Sequence, residues 1–84
     1  MALSHPSISA AQCRGARAML GWNQVELAEK AQLARQTVVD FERGARTPHP
    51  NNIAALRSAL EAAGVGFMPD EGEGEGIRLK ARGE

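Results

Sequence analysis

Between Arg35 and Arg43 the sequence RQTVVDFER sets Arg35, Gln36, Val39, Asp40 and Arg43 on one side of a short helix, with Val38 and Phe41 on the other. The chemistry of that polar side is recognition by hydrogen-bonding edges. An arginine guanidinium offers a planar donor pair that fits guanine, and a glutamine amide pairs a donor and an acceptor with adenine. Valine packs on a thymine methyl, and aspartate accepts from cytosine. Asp40 has a second reading, in which it pairs with Arg43 or positions Gln36, because an acid on such a face also repels phosphate. Elsewhere the sequence holds no nucleophile and base at a workable spacing, no metal-ligand set and no phosphate-cradling glycine loop. No catalytic residue, metal or cofactor is therefore assigned, and an enzyme is excluded.

Stepping outward, the residues that must position this face run from Asn23 to Gly44. Leu27, Ala28, Ala31, Leu33, Val38 and Phe41 have the spacing by which two crossed helices at a tight turn share one core, the pattern of a helix-turn-helix. Asn23 with Glu26 forms a capping box for the first of the two helices, which ends at Ala31, and Trp22 is placed to staple against Leu27 as a core anchor. A turn follows over Gln32 to Ala34, then the helix Arg35 to Arg43, closed by Gly44. Upstream, Ser9 with Gln12 caps a helix carrying Cys13, Ala16, Met19 and Leu20 on one face and ending at Gly21; Cys13 reads as a small buried thiol. Downstream, the run Pro48-His49-Pro50 breaks the chain, with His49 a loop or cap residue. Pro50 opens a fourth helix with Ile53, Leu56, Leu60 and Ala63 inward, stopped by Gly64.

After Gly64 the period changes from helical to alternating. Val65 and Phe67, then Ile77 and Leu79, read as two short strands around a flexible acidic loop from Pro69 to Gly76. A lone hairpin is rarely stable in water, so these strands pack on the helices or pair with a second chain. The fold expected is mainly α: an arm without fixed structure over residues 1–8, a four-helix domain over 9–64, and a C-terminal β-hairpin over 65–84 that serves as a dimerisation element through Val65, Phe67, Ile77 and Leu79.

The 84 residues make one small domain, marginally stable alone, for which a second copy is an expected partner. One cysteine permits no internal disulfide, and no apolar run approaches the roughly 20 residues that span a bilayer, so a cytoplasmic protein without a membrane partner is expected. The net charge is zero but unevenly spread: residues 1–60 carry seven basic against four acidic side chains, and residues 61–84 three against six. The helical part is basic and the tail acidic, which implies different tasks for the two. With only three aromatic residues, a stacking platform for single strands is not expected.

The stretch GWNQVELAEKAQLARQTVVDFERGARTPHPNNIAALRSALEAAGV closely resembles the XRE family of helix-turn-helix regulators, the phage-repressor and Cro type, over roughly residues 9–66. Its most specific pieces are Gly21, Gln24, Leu27 and Ala28, then Thr37, Val38, Phe41, Glu42 and Gly44. The resemblance implies a repressor-like domain whose second motif helix enters the major groove, with Arg35 and Gln36 foremost among the base readers. By the same resemblance Gln24, Thr37, the Gly44 amide, Arg46 and Thr47 contact phosphate, and Arg17 pairs with Glu42 as a structural ion pair. Three departures stand out. Gln32 occupies a turn position where glycine is usual, Ala34 replaces the usual serine cap, and the chain from Val65 onward reads as strand where many relatives build a dimer with a fifth helix.

The function so implied is a sequence-specific double-stranded DNA-binding regulator, a repressor acting as a homodimer on a roughly palindromic operator. One alternative is the antitoxin half of a toxin–antitoxin pair that autoregulates its operon, with the acidic hairpin holding a toxin protein; neighbouring genes or a co-purifying small protein decide it. Another is a protein-interaction module that keeps the scaffold without reading DNA, for which the zero net charge is the support. The salt dependence of DNA binding discriminates that one.

Overall fold

In the computed structural model, which describes residues 7–80, three of the four helices begin where a side chain accepts from their first free amides. Ser9 and Asn23 both form complete capping boxes, with Gln12 and Glu26 as their reciprocal partners, and start α1 (Ala10–Leu20) and α2 (Gln24–Ala31). His49 Nδ1 accepts from the Asn51 amide at 3.1 Å and starts α4 (Pro50–Ala62), with Pro50 in its first turn. The exception is α3 (Arg35–Glu42): its cap is Ala34, with no side-chain hydrogen bond. Gly21, at φ 70°, ends α1 in the left-handed region. Gln32 ends α2 in the same region at φ 59°, the only non-glycine among the described residues to do so. Two short strands follow, β1 (Val65–Met68) and β2 (Gly76–Leu79), antiparallel, with Val65 opposite Leu79 and Phe67 opposite Ile77.

The fold is thus the expected mainly helical domain with a C-terminal hairpin. Its core is one cluster in which Cys13 and Ala16 of α1, Leu27 and Ala28 of α2, Val38 and Phe41 of α3, and Leu56 and Leu60 of α4 interlock. Ile8, placed in the expected arm, is buried in the same cluster; the rest of that arm, residues 1–6, lies outside the described part. Met19, expected inward, is instead 41% exposed, although it shares its side of α1 with the buried Gln12 two turns earlier.

The hairpin closes over the other side of that core. Val65 is fully buried, Phe67 and Ile77 pack against the cluster, and the Ile77 side chain lies across Gly15, where a Cβ would come within 2.6 Å of it. Gln12, buried in α1, donates through Nε2 to the carbonyls of Met68 at 3.3 Å and Gly76 at 3.0 Å, bolting both strands to the helix. Two expectations are corrected here. Val65 cannot belong to a dimer surface, since its own chain covers it completely, and of the four residues assigned there only Leu79, at 48%, is well exposed. The acidic loop is not unordered: Asp70 Oδ1 accepts from the amides of Gly72 and Gly74 at 3.0 and 2.9 Å, and Glu75 accepts from the Ser9 hydroxyl.

Candidate nucleic-acid interface

Because Val38, Phe41 and Glu42 are buried, the angular position of every other residue on α3 is set. Arg35 and Gln36, at the start of the helix, and Arg43, just past its end, are exposed; Val39 and Asp40 sit half-buried between them. The five residues assigned to base reading therefore lie along one surface. They are not independent. Gln36 Nε2 donates to Asp40 Oδ1 at 2.9 Å, and Arg43 Nη2 donates to the same oxygen at 3.1 Å. The hydrogen bond from Gln36, then that from Arg43, holds the Asp40 carboxyl below its ordinary range.

The underside of α3 is anchored through Glu42. Its carboxylate accepts from Arg17 Nη2 at 2.8 Å and from Arg17 Nε at 2.9 and 3.2 Å, a two-pronged pairing with both partners shielded. Gln24 Nε2 donates to it at 3.1 Å and the Cys13 thiol at 3.2 Å, while Arg14 donates to the Glu42 backbone carbonyl at the helix end. Burial by itself would raise the Glu42 carboxyl, but the bonds from Arg17, Gln24 and Cys13 and the Arg17 charge outweigh it and hold it below the ordinary carboxylate range. Burial, reinforced by the neighbouring carboxylate, pushes the Cys13 thiol far above its usual range and leaves it a neutral donor.

Residues assigned to phosphate surround this helix. Gln24 opens α2 with one amide N–H committed to Glu42. Gly44, Arg46 and Thr47 are exposed in the segment after α3, but the Gly44 amide expected on phosphate already donates to the Phe41 carbonyl at 3.1 Å, and the amides of Ala45 and Arg46 donate back to the Asp40 carbonyl at 2.9 and 3.4 Å, which curls that segment against the helix end. Thr37 is half-buried and lines a cleft of about 300 Å³ with Gln36, Asp40, Arg46, Pro48 and Asn52. Asn52 was not expected there. The signal for it was the Pro48-His49-Pro50 run, which fixes where α4 starts and hence which of its residues turn toward α3. Arg14 was missed as well, because a bond to a backbone carbonyl leaves no pattern in the sequence.

Among the described residues no three His, Cys, Asp or Glu side chains are grouped to hold a metal, and no helix is long and apolar enough to cross a membrane. What the surface offers is a row of hydrogen-bonding side chains on a helix anchored from beneath, with exposed arginines among and beside them. The helix-turn-helix family matches residues 14–62, from within α1 to the last residue of α4. No curated protein matches the chain.

Proposed function

The chain belongs to the XRE-type helix-turn-helix family of DNA-binding transcription regulators, a regulatory rather than an enzyme family, and from that premise we propose that it is a cytoplasmic repressor that binds a roughly palindromic operator as a homodimer. Each copy lays α3 in a major groove, where Arg35, Gln36, Val39 and Arg43 meet base edges. Gln24, Thr37, Arg46 and Thr47 hold the flanking phosphates. Gln24 has one amide N–H left for this after its bond to Glu42. The observation that carries the reading is the two-sidedness of α3: Val38, Phe41 and Glu42 are locked inward while Arg35 and Gln36 stand clear of the protein at the helix start.

Selection from a pool of random duplexes yields the preferred site, and binding to it is then compared with binding to unrelated duplex. Arg35→Ala is expected to shrink the ratio of the two affinities by about 1–3 kcal/mol, the discrimination of one bidentate contact. An unchanged ratio removes Arg35 from base reading.

A further inference from the structure

On α3 one carboxylate oxygen serves two reading residues. Asp40 Oδ1 accepts from Gln36 one turn before it and from Arg43 just after it, at 2.9 and 3.1 Å. Asp40 lies low on the surface, with its side chain 18% exposed against 66% for that of Arg43, so its partners stand over it. Its backbone carbonyl is engaged too, by the amides of Ala45 and Arg46, which ties this point of the helix to the following segment.

We infer that Asp40 is a positioning residue, joining Gln36 and Arg43 into one reading unit and fixing the Gln36 amide in the orientation that selects adenine. The inference rests on the base-reading role proposed for α3. A glutamine amide normally has two orientations related by a flip. Held by one N–H against a carboxylate, it has only one, because the flipped amide would set its oxygen against Oδ1, two acceptors face to face. The orientation that remains leaves Oε1 and the second N–H free, one acceptor beside one donor, the complement of adenine N6–H and N7. Asp40 itself is poorly placed to take a cytosine amino group, since Oδ1 already receives two hydrogen bonds and the side chain lies beneath its partners. The Arg43 guanidinium also offsets the negative charge that would otherwise repel the DNA backbone.

The test is selection from a random duplex pool with the wild-type chain, Gln36→Ala, Asp40→Ala and Asp40→Asn, with thermal melting to verify that each is folded. The wild type is expected to enrich a site with an adenine position that Gln36→Ala loses. Asp40→Ala should lower the preference at that same position by at least about 5-fold, the lower end of what a bidentate contact contributes. Asp40→Asn keeps an acceptor oxygen for Gln36 and should retain most of the preference. If Asp40→Ala changes the preference at a different base pair, or at none, the positioning role is overturned while base reading by α3 stands. A wild type that enriches no sequence overturns both.

Discussion

Glu42 is the residue on which stability and the reading surface both depend. It is nearly inaccessible, it accepts from three side chains, and it terminates the helix whose other face is proposed to read DNA. Arg17→Ala would leave that carboxylate without its charged partner, and breaking such a pair costs about 3–5 kcal/mol. Urea unfolding should show the loss as a lower midpoint without a changed slope. The pH dependence has a definite sign. The Glu42 carboxyl is held below its ordinary value of 4.5 in the folded chain, so its contribution is fully present above that pH and is lost as the pH falls through the depressed folded value. Glu42→Gln should therefore flatten the fall in stability below about pH 4.5, measured by thermal melting across pH; a fall as steep as that of the wild type would place the acid sensitivity elsewhere. The turn before α3 offers a change of opposite sign. Gln32 holds φ 59° at a cost of about 1 kcal/mol relative to glycine, so Gln32→Gly should raise stability by up to about that amount.

At the scale of elements, the hairpin belongs to the helical domain and does not stand apart from it. Its two strands are held by Gln12 from α1, by Val65 in the core and by Ile77 across Gly15. Gln12→Ala would strip both carbonyl contacts and the return bond of its side chain to the Ser9 amide, at a cost of about 1–3 kcal/mol. Amide hydrogen exchange should then quicken in β1 and β2 while the amides of α2 and α3 keep their protection; equal quickening in all four would mean that the hairpin and helices open as one unit. This docking also marks where the sequence stopped being legible. The helices were readable because each carries its own signals: the Ser9–Gln12 and Asn23–Glu26 boxes, Gly21, and the Pro48-His49-Pro50 break are local in the chain. The strands were readable from alternation, but not what they pack on, since the bond from Gln12 to Gly76 joins residues far apart in the chain. Gln12 had already been accounted for as a capping residue, and one glutamine filling two roles has no sequence signature. The acidic loop was misread for a related reason: alternating glycines read as freedom, while the amides of Gly72 and Gly74 are what the Asp70 carboxylate binds. On the DNA-facing side the residues on α3 followed from periodicity, and their shared oxygen on Asp40 did not.

For the whole molecule, the question is how a chain with zero net charge would hold DNA, and how two copies would be spaced. Among the proposed phosphate contacts only Arg46 carries charge; the others are amides and hydroxyls, which release no counterion. A homodimer should accordingly show a shallow salt dependence, with a slope of log K against log salt of about −2 at its preferred site. A slope several times steeper would mean that Arg35 and Arg43 grip phosphate and do not read bases. The hairpin is the element proposed to space the copies, and the burial of Val65 decides how that is tested. A chain cut at Gly64 would lose a core residue and both hairpin contacts of Gln12, so its oligomeric state would report on damage to the fold. Leu79 is the better probe, because it is the large apolar side chain of the hairpin left exposed, on a sheet that has two strands among the described residues. In the uncut 84-residue chain, Leu79→Glu would set like charges against each other across a two-fold axis while disturbing little of the core. Sedimentation should find the wild type dimeric and this variant monomeric at the same concentration, with unchanged helical circular dichroism. Its DNA affinity should fall because each half-site is then bound singly. A dimer that persists in Leu79→Glu would move the interface off the hairpin and onto the helices.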